Sequence, residues 1–123
     1  MIHKKKILIV EDEVMIAMCL EREFLRAGYE VCKRLARGED AVQTAEKESP
    51  SCIIIDIGLA GSIDGIETAR IIKEKTDTAI IFLTGYPDKA LEERALELKP
   101  LGYFTKPVRA ETLIPVIESL NDI

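Results

Sequence analysis

The stretch Cys52-Ile53-Ile54-Ile55-Asp56 constrains this chain more than any other. Four apolar residues, three of them β-branched, lead without a polar break into one carboxylate. Ser49-Pro50-Ser51 precede the run, and Gly58 and Gly61 follow it. A short apolar run bounded by such turn signals predicts a central strand buried on both faces. Asp56 would then close that strand at its carboxyl end, the edge where open α/β sheets bind their ligands. Taken alone, the plainer reading is an aspartate that merely starts a turn.

The other apolar runs decide between the two. Lys5 to Val10 predicts a first strand, ended by the acids Glu11, Asp12 and Glu13. A helix follows to about Ala27, with Ile16, Leu20, Phe24 and Ala27 on one stripe and Gly28 as its C-cap signal. Val31 to Ala36 reads as a strand weakened by Lys33 and Arg34, which places it at a sheet edge. Arg37 to Ser49 reads as a helix through Ala41, Val42 and Ala45, stopped by Pro50. Gly65 to Lys75 is helical through Ile66, Ala69 and Ile72. Ala79 to Leu83 is a second buried strand, ending in Thr84-Gly85. Pro87 to Leu98 predicts a helix through Ala90, Leu91, Ala95 and Leu98. Leu101 to Thr105 is a last short strand before Lys106-Pro107, and Ala110 to Leu120 is the closing helix, which Pro115 is expected to kink. Strict βα alternation predicts an α/β fold with a parallel sheet covered by helices on both faces. The flavodoxin-like doubly wound order 2-1-3-4-5 puts the charged second strand at the edge.

At 123 residues the chain is read as one domain, 1–123. A net charge of −5 argues against direct nucleic-acid binding, which needs a basic face. No run approaches the roughly 18 apolar residues of a membrane span, and the start at Met1 to Val10 carries too short an apolar run for a signal peptide. Cys19, Cys32 and Cys52 lack CxxC spacing and lie in apolar segments, so buried reduced thiols and a cytoplasmic location are expected. His3 stands alone near the terminus and receives no role.

The predicted topology gathers polar residues at four strand ends: Glu11 and Asp12, Asp56, Thr84, and Lys106. Carboxylates crowded into one crevice repel each other unless a cation lies among them. Oxygen-only ligation without His or Cys suits Mg²⁺, with Mn²⁺ also admitted, over zinc. Thr84 offers a neutral donor and Lys106 an ammonium, both suited to phosphoryl oxygens. Asp56 is placed as the nucleophile, because carboxylates form aspartyl phosphates. Each residue has a plainer alternative: the acids could favour a helix N-terminus, Thr84 a turn, and Lys106 the solvent. The right residue types at four strand ends together outweigh those alternatives.

On these residues the chain resembles, over essentially its full length, the response-regulator receiver domain of two-component phosphorelay signalling. Glu11-Asp12, Asp56, Asp64-Gly65, Thr84-Gly85 and Lys106-Pro107 carry the resemblance. It implies a phosphoacceptor at Asp56 and an acidic metal pocket at Glu11 and Asp12, with the Gly58 carbonyl as a further ligand. Thr84 and Lys106 would contact the phosphoryl group, Tyr103 would be the switching aromatic, and the Lys106-Pro107 bond would be cis. The implied donor is a histidine kinase or histidine phosphotransfer protein. The implied output is a downstream effector or dimer partner on the face made by the fourth helix, fifth strand and fifth helix. The chain would catalyse only its own phosphorylation and dephosphorylation, and would not otherwise be an enzyme. Two departures stand out. Ala60 occupies a position where the family commonly has proline, in a loop one residue longer than usual. Phe82-Leu83-Thr84-Gly85-Tyr86 resembles a receiver subgroup with an F-x-T-G-x-Y segment, which makes Tyr86 a second candidate for the switch.

Three rivals use related chemistry. A flavin carrier needs a neutral phosphate-holding loop after the first strand, where this chain has three acids. A haloacid-dehalogenase-like phosphatase needs an Asp-x-Asp pair on that strand, and none exists. A receiver-like interaction module that is never phosphorylated leaves the retained acids, Thr84 and Lys106 without purpose.

Overall fold

The computed structural model describes residues 5–59 and 61–121. His3 and Ala60, singled out above, lie outside the described residues. Strands β1 (Lys6–Val10), β2 (Glu30–Leu35), β3 (Cys52–Asp56), β4 (Ala79–Thr84) and β5 (Gly102–Thr105) form one parallel sheet. Its order is β2-β1-β3-β4-β5, as the sequence predicts. Helices α1 (Val14–Arg26), α2 (Gly38–Glu48), α3 (Gly65–Lys75), α4 (Lys89–Glu97) and α5 (Ala110–Glu118) alternate with the strands, and a 3₁₀ turn spans Ser119–Asn121. No helix among the described residues is long and apolar enough to cross a membrane.

The isoleucines of β3 divide between the two faces, because successive side chains in a strand point opposite ways. Ile53 and Ile55 join Leu8, Val10, Ile80 and Phe82 against Ala41 and Ala45 of α2 and Ile66, Ala69 and Ile72 of α3. Ile54 joins Ile7, Ile9, Ile81 and Leu83 against Leu20 and Phe24 of α1 and Leu113 and Ile117 of α5. Each fully buried isoleucine stabilises the fold by roughly 1.5–3 kcal/mol relative to exposure. Asp56 thus ends a strand that is fixed from both sides and paired on both edges, Val10↔Ile55 on one and Asp56↔Leu83 on the other.

Several local expectations are corrected. Helix α1 ends at Arg26; Ala27 is exposed, and buried Ala17 completes the stripe with Leu20 and Phe24. Gly28 follows with a φ of +92°, the left-handed conformation that favours glycine after a helix. Helix α4 starts at Lys89 rather than at Pro87, because the Asp88 carboxylate accepts the Leu91 N–H and caps it there; Ala90 is exposed. Helix α5 ends at Glu118 rather than at Leu120, with Pro115 inside it on the exposed side, where water can serve the carbonyl that lacks a donor. The cysteines do not share one environment: Cys52 is buried, Cys32 half-buried and Cys19 exposed on α1. Burial pushes the Cys52 thiol up to about 12, which leaves it unreactive at neutral pH.

The start of α3 presses directly on the end of β3. Asp64 accepts the Glu67 N–H at 2.8 Å as N-cap, and the Gly65 N–H donates to the Ile57 carbonyl at 3.1 Å. A Cβ on Gly65 would lie 2.1 Å from the Asp56 carbonyl oxygen and 2.8 Å from Ile57 Cα. Backbone cannot yield as a flexible side chain can. Gly65→Ala should therefore cost about 1–3 kcal/mol, lowering the urea midpoint at unchanged m-value. Gly58→Ala, whose Cβ would meet only Asp56 Oδ1 at an ordinary 3.6 Å, should stay within about 0.5 kcal/mol of wild type.

Candidate functional site

Four strand ends meet on the carboxyl edge of the sheet, around the point where strand order reverses. Glu11 follows β1 and is 4% exposed; Asp56 ends β3 and is likewise 4% exposed. Asp12 is half-buried beside Glu11. Glu11, Asp12 and Asp56 each offer a carboxylate oxygen within 4.8 Å of the others. Thr84 ends β4 and is buried, and Lys106 follows β5 with its side chain 9% exposed. The Lys106-Pro107 bond is cis. The Lys106 N–H donates to the Thr84 carbonyl at 2.8 Å, which ties the loop after β5 to the end of β4.

Lys106 organises the acids. Its ammonium lies 3.1 Å from Glu11 Oε1, 3.2 Å from Asp56 Oδ2 and 3.0 Å from Glu13 Oε1. The second oxygen of each buried carboxylate is held by backbone: Glu11 Oε2 accepts the Glu13 N–H at 3.0 Å, and Asp56 Oδ1 accepts the Gly58 N–H at 2.9 Å. Both oxygens of Asp56 are thereby oriented. Gly58 enters the site through this N–H. The sequence signals Glu13 only as the last of three consecutive acids after a strand, a pattern that does not say which of them reaches Lys106.

Desolvation by burial, reinforced by the Asp56 charge, raises the Glu11 carboxyl to about 7, against the opposing hydrogen bonds from the Glu13 N–H and Lys106. Burial works against the Lys106 ammonium, but its bonds to Glu13 and Glu11 and the Asp56 charge outweigh it and raise the pKa. The donor set is all oxygen and fits a hard divalent cation such as Mg²⁺.

The remaining candidates lie around this cluster in different states. The Thr84 hydroxyl donates to the Tyr86 carbonyl at 2.8 Å. The Tyr86 side chain is in solvent, 85% exposed, so its ring does not cover the site. Tyr103 is half-buried on β5 and packs against the core cluster that also receives Leu91 and Leu98. Its hydroxyl is buried and has no hydrogen-bond partner among the described residues, a loss of roughly 1–3 kcal/mol relative to a satisfied hydroxyl.

The Glu11 shift carries a pH dependence of definite sign. The folded chain binds this proton more tightly than the unfolded chain, whose glutamate titrates near 4.5. The resulting stabilisation is full below pH 4.5 and is lost as the pH rises to about 7. Urea unfolding in chelator at pH 5, 6 and 7 should show wild type losing stability relative to Glu11→Gln as the pH rises. Parallel curves for the two proteins would contradict the shift.

Comparison with known proteins agrees with this geometry. The family described as response regulator receiver domain matches residues 7–118. The signal receiver domain of a modulated diguanylate cyclase from Desulfovibrio desulfuricans G20 superposes with a TM-score of 0.90 at 37% identity, over 95% of this chain and 93% of that one. A CheY-like receiver domain protein from Methanospirillum hungatei JF-1 superposes with a TM-score of 0.86 at 26% identity, over 98% of this chain and 95% of that one. Transcriptional regulatory protein PdtaR of Mycobacterium tuberculosis is 35% identical over 114 residues, 93% of this chain and 55% of that protein. The chain spans about half the length of the curated relatives it matches. With its strand order, its acidic cluster and its Lys106 in place, the chain belongs to the response regulator receiver domain family.

Proposed function

We infer that Asp56 accepts a phosphoryl group from the phosphohistidine of a histidine kinase or histidine phosphotransfer protein, and that this changes the output face of the chain. The observation that carries the reading is the state of Asp56: a buried carboxylate at a strand end, with one oxygen on the Gly58 N–H and the other on the Lys106 ammonium. The acids Glu11, Asp12 and Asp56, with the Gly58 carbonyl, would hold Mg²⁺. Bound there, the ion would supply positive charge for the phosphoryl oxygens. Asp56 forms the new O–P bond as the P–N bond of the donor breaks, and the donor imidazole leaves with the bonding pair. The chain supplies positioning and charge, which is most of what phosphoryl transfer requires.

In the phosphorylated chain the Thr84 hydroxyl leaves the Tyr86 carbonyl for a phosphoryl oxygen, and Lys106 follows the new charge. The segment from Thr84 into α4 then rearranges. Tyr103 is the switching aromatic, a reading supported by its buried hydroxyl, which finds no partner among the described residues; Tyr86 is the alternative candidate. The face formed by α4, β5 and α5 carries the change to a downstream effector or dimer partner. This is a shift between two populations, and a nearly complete one needs about 5 kcal/mol of differential interaction. The chain is a signalling unit that catalyses its own phosphorylation and dephosphorylation.

Incubation with acetyl phosphate and Mg²⁺, followed by intact mass, should reveal an adduct of about 80 Da that disappears in Asp56→Asn. A chain that gains no adduct, or one whose adduct persists in that variant, would contradict the reading and favour a receiver that acts by binding alone.

A further inference from the structure

Glu13 stands at the N-cap of α1 but makes no side-chain capping bond there. A cap residue ordinarily spends its side chain on the first free amides of its own helix. The Glu13 carboxylate reaches Lys106 Nζ instead, at 3.0 Å, shorter than the Glu11 and Asp56 contacts of that ammonium at 3.1 and 3.2 Å.

The three contacts differ in kind. Glu11 and Asp56 are buried, and each is also held by a backbone N–H. The Glu13 side chain is 62% exposed and lies at the rim. A lysine ammonium has three N–H donors, and three carboxylates engage it here. Asp56 bears the incoming phosphoryl group and keeps the ammonium through it, so a closer approach of Lys106 to the phosphoryl oxygens draws it away from Glu11 or Glu13. Water can replace the ammonium at an exposed carboxylate far more cheaply than at a buried one, so Glu13 is the partner that yields.

We propose that Glu13 is a positioning residue that tethers Lys106 and competes with the phosphoryl group for its ammonium, setting how readily Asp56 is loaded. The proposal rests on the phosphoacceptor reading given above. Both the charge and the length of Glu13 are needed. A glutamine weakens the ion pair, and an aspartate keeps the charge at the rim but loses the reach.

The test is the uptake of beryllofluoride, a phosphoryl mimic, followed by ¹⁹F NMR at saturating Mg²⁺. Glu13→Gln and Glu13→Asp should each take it up about two- to five-fold more tightly than wild type, the range expected for releasing an ion pair with one exposed partner. In a Lys106→Met background the same two substitutions should change nothing, which a general repulsion between Glu13 and the anion would not produce. Wild-type affinity in both single variants, or in Glu13→Asp alone, would overturn the tether. So would a gain that persists in the Lys106→Met background. A wild-type chain that takes up no beryllofluoride would overturn the phosphoacceptor reading itself and the tether with it, and so the two failures are told apart.

Discussion

The Lys106 ammonium and the carboxylates it faces form the interaction on which the rest of the site depends. Glu11 and Asp56 are taken out of water at the ends of two adjacent strands, and two such charges side by side are unfavourable without a cation. Lys106 supplies that cation from a third strand end, with Glu13 completing its shell. Removing one member of a buried pair leaves the other uncompensated, which is far costlier than the pair itself is stabilising. The loops after β1, β3 and β5 are therefore tied to one atom. The raised pKa of Glu11 follows first from its burial; the Asp56 charge adds to it, and the Glu13 N–H and Lys106 offset only part of the rise.

The fold brings these groups within reach through contacts that lie outside the crevice. Ile53, Ile54 and Ile55 anchor β3 on both faces, and Gly65 lets α3 begin against the backbone of Asp56. On the other side the Glu23 carboxylate on α1 accepts the Ala110 N–H at 2.8 Å and pairs with Arg109 at 2.6 Å. It thereby caps α5 in place of a side chain from α5 itself, whose N-cap Arg109 makes no capping bond. The far end of α5 is fixed by Glu118, which accepts the Tyr29 hydroxyl and pairs with Lys5. The loop that carries Lys106 thus runs from a strand bonded to β4 into a helix clamped to α1. Its ammonium is held by geometry as well as by charge.

Sequence patterning made the sheet order, the strand ends and most of the site legible. Glu11, Asp12, Asp56, Thr84 and Lys106 are each the first polar residue to follow an apolar strand or lie next to it, and a parallel sheet must place such residues on one edge. What patterning could not convey was the direction of individual side chains. Glu13 is one of three consecutive acids, and only the start of α1 decides that its carboxylate turns towards Lys106 while its own N–H serves Glu11. Cys19 lies in an apolar segment but off the Leu20 and Phe24 stripe, so helical phase exposes it. Tyr86 follows the Thr84-Gly85 signal yet points into solvent; its carbonyl, not its ring, is what touches the site, and no residue-type pattern reveals a backbone contact.

Lys106 is the resident counter-charge of the acidic cluster rather than a neighbour that merely lies close to it. Mg²⁺ binding to wild type and to folded Lys106→Met, measured by calorimetry at a pH well above the Glu11 transition, tests this directly. An ammonium that occupies the carboxylates must be displaced or repelled by the incoming cation, so the variant should bind Mg²⁺ several-fold more tightly than wild type. Equal or weaker binding by the variant would contradict it.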